Sequence, residues 1–445
     1  MAMSQEAPSI RHPRWRTVLF SLLFVCGLGV VVFPQVTLDV CGCKNNPASL
    51  GNFDSGNVAS FPPGTTVGTT TMSIPLPADG VLVFNNISLA ERPPYVGGYG
   101  LTITFVRNSA NTPVTILASG NVTIGQYVSL VVSGDVGVAG YNVGKGGLGG
   151  PGGFRGGDGA YQLVNFARMG GAGAGPGGGA GGNDYYYQNG QGINATFLSA
   201  PDLLPLIGGS GGGGGGSTSI SPGCGAGGGG GGGGAILMAV DGTITINGAI
   251  VANGAAGGSY AGNPNCASSG GGGSGGVIRV LATTISGTGV LNAVGAGSGG
   301  SQGPNVVADG RVRLEALNNN LLVSQTNPIA SRTPGPGPIV NPITPTVAIT
   351  TVGGQLVPSP PQGGLGLVDL VLAAPGQTDI GLATSGVPTG TTVAVTVKPR
   401  VGGLPTVTNA TLSNCDGNGA CIANVAFNLS AGAYFVEARA TFQTP

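Results

Sequence analysis

Between residues 72 and 134 apolar and polar positions alternate over short runs, "GVLVFNNISL", "LTITFVRN" and "PVTILASGNVTIGQYVSLVVSG", rich in Val, Ile, Thr and Phe. A period of two puts successive side chains on opposite faces of an extended chain, so these runs predict half-buried strands. The same signal returns after residue 234 in "AILMAVDGTITINGAIVANG", "VIRVLATTISGTGVLNAVG" and "RVRLEALNNNLLV". No stretch after Phe33 carries the 3.6-residue period of an amphipathic helix. The expected class is all-β.

The strand blocks align on one another. Thr115 to Ile124 matches Leu237 to Ile246 without gaps, with Val122 on Ile244 and Ile124 on Ile246. Ala235, Ile236 and Met238 match Val277, Ile278 and Val280, each 42 residues on; beyond the turn the expected offset is 39, Thr245 on Thr284 and Ile246 on Ile285. Units that cannot bury a face alone stack on their neighbours, which predicts a parallel β-helix or β-solenoid-like domain over residues 72–325. Cys224 and Cys266 are also 42 apart and share one phase of adjacent units. Neighbouring strands lie about 4.8 Å apart, within reach of a disulfide, which at this loop length contributes about 4 kcal/mol.

From Asp135 to Gly234 glycine dominates, with "GGPGGFRGGDGAY", "GGNDYYYQNGQG" and eight consecutive glycines, Gly227 to Gly234. With 91 Gly and 32 Pro in 445 residues, the composition alone points to disorder. Both ends of the eight-glycine run are nevertheless held by the strand pattern. Chains without Cβ atoms can approach closely, so the expectation is polyproline-like strands hydrogen-bonded side by side.

Prolines 328, 334, 336, 338, 342 and 345 predict a stiff linker over 326–345. Residues 346–445 then show "VAITTV", "GLVDLVL", "DIGLAT", "TTVAVTVKP", "VTNATLS", "IANVAFNL" and "AYFVEARATF", the spacing of a small antiparallel immunoglobulin-like β-sandwich. "CDGNGAC" places Cys415 and Cys421 around a tight turn, where a bridge clips a hairpin and adds about 2 kcal/mol at most. Cys41 and Cys43 stand too close for an easy bridge and receive no partner.

At the N-terminus, Arg11, Arg14 and Arg16 precede an uncharged run from Thr17 to Phe33. Residues 1–33 therefore fit a cleaved signal peptide, with Gly27-Leu28-Gly29 as the small-x-small site, or an uncleaved inner-membrane anchor. A third reading takes "VCGC" as a lipobox with Cys43 lipidated. Residues 34–71 are expected as an exported N-terminal linker region.

Charge narrows the function classes. Only 7% of residues are charged, and Lys plus Arg equals Asp plus Glu at 16 each. No basic field exists to neutralise phosphates, so nucleic acid is not an expected partner. His12 is the one histidine and lies in the leader, which removes His-dependent relays and ligands from the exported part. Asp135, Asp158, Asp184, Asp202, Asp241 and Asp309 are scattered singly, without the pair a glycosidase needs; Asp241, opposite Ser119 and Thr283, reads as a turn residue. "GGDGAY" does not repeat as a calcium-binding roll would, and no Lys-Ser/Thr follows the glycine runs as a phosphate loop would require. The expectation is no catalytic residue, no metal and no cofactor. Seven cysteines suit an oxidising compartment. Tyr141, Tyr161, Tyr185, Tyr186, Tyr187 and Tyr260 fall in glycine-rich sequence, and Tyr185–Tyr187 are candidate contacts for sugar rings or another protein. Arg279, Arg311 and Arg313 begin strands and read as a ladder or as solvated strand ends.

In "NTPVTILASGNVTI", "LLPLIGGSGGGGGG", "GTITINGAIVANG" and "TISGTGVLNAVGAG" the chain resembles glycine-rich exported bacterial proteins of unassigned activity, over residues 75–320. In its glycine runs alone it is similar to phage-tail adhesins that pack polyglycine strands. The expected function is a non-catalytic, exported structural or adhesive protein, extracellular or at the cell surface, meeting a surface polysaccharide or another surface protein and touching membrane only through its N-terminal segment. The alternative is a carbohydrate-binding or polysaccharide-processing protein that uses the tyrosine-bearing loops.

Overall fold

Valine and isoleucine at alternate positions turn inward, and the strands they form assemble into two sheets. The computed structural model describes residues 39–90, 100–140, 144–160, 169–183, 190–217, 225–262, 266–299, 307–339, 346–358, 368–399, 404–416 and 420–441. The protein is essentially all-β. Apart from short 3-10 turns such as Val58–Ser60 and Val323–Gln325, no helix occurs among the described residues, so none there is long and apolar enough to cross a membrane.

The first sheet is parallel and runs Phe53–Asp54, Ile87–Leu89, Val122–Ile124, Ala235–Ile246, Val277–Ser286, Arg311–Asn319, Ser331–Pro334, with Val81–Phe84 beside Val114–Ala118 and the latter beside Ala235–Ile246. The second orders Thr326–Asn327, Val290–Asn292, Ala249–Val251, Val128–Val131, Leu101–Val106, Thr71–Pro75 and Thr66–Val67; only its last pair is antiparallel. The chain visits the sheets alternately. One apolar core lies between them, including Met72, Ile103, Ile124, Ile236, Met238, Ile244, Ile278 and Leu314.

Most of the expected register is present. Leu237 faces Thr115, Ile244 faces Val122 and Ile246 faces Ile124; Ala235, Ile236 and Met238 face Val277, Ile278 and Val280. Beyond the turn the sequence alignment is corrected. Thr243 faces Thr284 and Ile244 faces Ile285, so the shift at Val240/Thr243 is one residue, a β-bulge, and not a three-residue deletion.

Both expected linkers are partly drawn into the sheets. Phe53–Asp54 and Thr66–Val67 lie in the region expected as an N-terminal linker, and Phe53 is in the core. At the other end Thr326–Asn327 and Ser331–Pro334 pair with Val290–Asn292 and Arg311–Asn319. Proline is tolerated there because Ser331–Pro334 is the last strand of its sheet and no further strand requires the missing N–H.

After residue 345 all the described strands pair antiparallel. Gln355–Leu356, Thr346–Val352, Gly376–Ser385, Cys421–Leu429 and Asn414–Cys415 form one sheet; Thr406–Thr411, Thr392–Pro399 and Tyr434–Ala440 form another. They share an apolar cluster with Ile380, Leu382, Val393, Val395, Val425 and Phe427 at its centre. "GLVDLVL" is not a strand where it is described: residues 368–372 are irregular, and Val368 and Val371 are exposed.

Candidate functional site in the glycine bundle

The glycine-rich segments leave the sheets and pack on one another through backbone hydrogen bonds. In Gly227–Gly234 every N–H donates to another segment and every carbonyl accepts from one. The partners rotate with a period of three. Gly227, Gly230 and Gly233 donate to Ser268, Gly271 and Ser274; Gly228, Gly231 and Gly234 to Val138, Asp135 and Val132; Gly229 and Gly232 to Gly157 and Phe154. The carbonyls turn through three more segments. Those of Gly227, Gly230 and Gly233 accept from Gly215, Gly212 and Gly209, those of Gly228 and Gly231 from Gly258 and Ala255, and those of Gly229 and Gly232 from Gly147 and Gly150.

Three residues per turn is the geometry of an extended polyproline-type helix, and no glycine of this run has a positive φ. The run thus has six neighbouring helices. Gly209–Gly216 is similarly surrounded, and Gly270–Gly276 joins it. Ser210 and Ser274 meet inside the bundle: Ser210 N–H donates to Ser274 Oγ at 2.8 Å, and both are buried. Reversals use Gly152, Gly175 and Gly262, at φ +75°, +100° and +89°, where a Cβ would be strained. Each bond contributes about 1 kcal/mol net, against about 1–2 kcal/mol of backbone entropy per residue. The order therefore depends on the sheets that anchor the helices.

At one end of the bundle, described residues of different segments are bridged to one another. Gly140 bridges Tyr260, Gly225 bridges Ala261 and Ser217 bridges Ala267. Ala160, Ala226, Cys266 and Ala267 form a small buried cluster. Asn183 and Gly190 belong to the same end, since Gly182 donates to Gly214 and Gly216 donates to Gly190. Tyr260 is partly exposed there. Tyr141, Tyr161 and the candidate contacts Tyr185, Tyr186 and Tyr187 lie outside the described residues. Cys266 is disulfide-bonded; Cys224, its expected partner, lies outside the described residues. Cys415 and Cys421 are bonded, with Cα atoms 3.9 Å apart.

Cys41 and Cys43 are also bonded to each other, across a Cα separation of 5.0 Å. The sequence argument against this pair fails because Gly42 adopts φ +59° between them. Cys43, the candidate of the lipobox reading, has its sulfur in this bridge.

The candidate carboxylates have separate structural tasks. Asp135 pairs with Arg107 at 2.7 Å on the surface. Asp158 Oδ1 takes Arg155 Nη2 at 2.7 Å and Gly146 N–H at 2.9 Å. Asp202 and Asp309 accept N–H bonds from Leu204 and Gly295; Asp184 lies outside the described residues. Asp241 is buried within a strand, next to the bulge, and is not a solvated turn residue. Burial raises its carboxyl above the ordinary 3.8, against the opposing effect of N–H donors from Cys41 and Val40. Asp39, Cys41 and Asp241 approach one another, but the Cys41 sulfur is committed to its disulfide and offers no thiolate.

Of the three arginines expected as a ladder, Arg279 and Arg313 meet, whereas Arg311 faces Val277 and donates to the Ala200 carbonyl at 3.2 Å. Arg279 faces Arg313 in register, and both donate Nε to Glu315 Oε1, at 2.8 and 2.6 Å. Arg279 and Glu315 are each only 1% exposed. Residues of the expected linker close over them: Pro338 carbonyl accepts from Arg279 Nη2 at 2.9 Å, and Gly337 N–H donates to Glu315 Oε2 at 2.7 Å. Burial alone would raise the Glu315 carboxyl; the two arginines outweigh it and hold it below the ordinary 4.5. Sequence spacing gave no sign of this cluster, because Glu315 meets Arg279 only through strand register. Comparison with known proteins returns no matching family model, no matching curated protein and no matching solved structure.

Proposed function

We propose that this chain is a non-catalytic, exported structural or adhesive protein. In this reading residues 53–334 form a β-solenoid whose turns extend into a polyglycine bundle, and residues 346–441 form an immunoglobulin-like sandwich. Alternate passage between two parallel sheets supports the first part; two antiparallel sheets on one core support the second.

The observation that carries the functional reading is the bundle itself. A sparsely charged body whose interior helix bonds to six neighbours presents one end where several of its segments are bridged to one another, and its described carboxylates Asp135 and Asp158 are engaged in ion pairs. Such a body suits display of recognition elements on a stiff support. The positive-then-apolar leader and the paired cysteines support export.

The test is binding of the purified chain to intact cells and to arrayed polysaccharides, beside a Tyr260→Ala variant and a Tyr185/Tyr186/Tyr187 triple alanine variant. Adhesion to cells with an unresponsive array supports the structural and adhesive reading. A saturable glycan signal abolished in the triple variant would replace it with a carbohydrate-binding function. Hydrolysis of any arrayed polysaccharide would sink the non-catalytic reading outright.

A further inference from the structure

Residues 39–43 cross the outer face of the first sheet. They cover a second apolar column, separate from the core between the sheets: Val83, Leu117, Leu237, Ala239 and Leu281. Val40 and Cys41 donate their N–H groups to one oxygen, Asp241 Oδ1, at 2.7 and 2.8 Å. Between the cysteines Gly42 turns at φ +59° with its N–H on Asp39 Oδ1 at 2.8 Å. Cys41 and Cys43 are both buried.

We infer that the Cys41–Cys43 disulfide is an oxidative latch for this strap. Without it, every residue of 39–43 must give up backbone freedom for two hydrogen bonds to the sheet, one within the strap and a small apolar contact. With it, the turn that aims both N–H groups at Asp241 is set beforehand. Asp241 is the natural receptor, since it stands two residues beyond Ala239 and therefore on the same outer face of the strand. In the closing reaction the two thiols give up two protons and two electrons to a disulfide oxidant such as oxidised glutathione. The cysteine sulfurs join as the oxidant's S–S bond breaks, and the oxidant leaves as two thiols. The reduced chain thus has an open strap and an apolar column left to the partial cover of Leu206 and Ile339, and the strap closes where thiols are oxidised. This device does not depend on the adhesive reading.

The full chain equilibrated in stepped glutathione buffers tests it, with the state of Cys41 and Cys43 read by alkylation and peptide mass. Amide exchange is followed on a peptide spanning 39–50 and on the strand Val277–Ser286. The expected result is that the Val40 and Cys41 amides exchange about tenfold or more faster in step with reduction, while the strand keeps its protection. A Cys41→Ser/Cys43→Ser double variant shows the fast strap in every buffer. Strap protection that survives reduction, or that persists in the double variant, overturns the latch. So does loss of protection in the strand at the same glutathione ratio, since opening is then global.

Discussion

Gly230 donates its N–H to Gly271 and accepts from Gly212 in the middle of the bundle. A Cβ added there falls within 3.0 Å of Ala255 O, Ala255 C and Ala256 O, closer than real Cβ atoms approach. None of these atoms is free to move, because Ala255 O accepts from Gly273 and Ala256 O from Gly137. Gly230→Ala must push one helix aside, at about 1–3 kcal/mol for overpacking, and disrupt two or three hydrogen bonds at about 1 kcal/mol each. Removing glycine's freedom in the unfolded chain returns only about 0.4–1 kcal/mol. The net loss is about 3–5 kcal/mol, and at about 2–4 °C per kcal/mol for a large domain the melting temperature falls by about 10 °C. Gly171→Ala is the matched control. Its added Cβ comes no nearer than 3.1 Å to Asp158 N and 3.3 Å to Asp158 O, so a small adjustment balances the same unfolded-state gain, to within about 1 kcal/mol. Calorimetric melting of both variants beside the parent chain decides the matter. Equal melting temperatures for the two variants would refute the close-packed bundle.

Glu315→Gln leaves Arg279 buried without a counter-charge, and urea unfolding should show a loss of about 3–5 kcal/mol. In the parent chain Glu315 is held below its ordinary 4.5, so its contribution is present above that value and is lost as pH falls through 4.5 toward the folded value; acid titration of the Gln variant should lack this component. Replacing Cys415 and Cys421 by serine removes a bridge across a six-residue separation, and the antiparallel region should lose about 2 kcal/mol or less by denaturant titration; full unfolding of the chain would contradict a clip of local effect.

The strand register was legible because period-two alternation identifies the inward positions, and a shift of one residue would expose the whole apolar set. Ile236 on Ile278 and Ile244 on Val122 follow from that constraint. The offset after the turn was not legible, since Thr243, Thr245, Thr284 and Ser286 are interchangeable on a solvent-facing side and sequence matching slides freely there. Proline content misled at 326–339. Edge strands accept proline, and the segment's remaining task is to bury Arg279, a contact made through residues far apart in sequence. The glycine runs were legible as packed chains, but not the placement of their partners, which depends on a three-dimensional lattice with no apolar pattern to mark it.

That lattice does leave one mark in the sequence. A helix of three residues per turn shows a given side every third residue, so a segment at the rim can carry side chains at that spacing and no other. "GKGGLGG", residues 144–150, does this: Lys145 and Leu148 are exposed, and the glycines between and around them are buried. A Cβ on Gly147 would strike Asp135, whereas Leu148 is 52% exposed. The run Gly227–Gly234 has no such interruption because it has no solvent side; all eight residues are buried. The length of an unbroken glycine run therefore measures enclosure. A single spaced substituent marks the rim, and the unbroken run marks the helix around which the others are placed. By this rule the residues open to change without loss of the bundle are Lys145 and Leu148, and any surface chemistry the bundle presents along its sides must be written at such third positions.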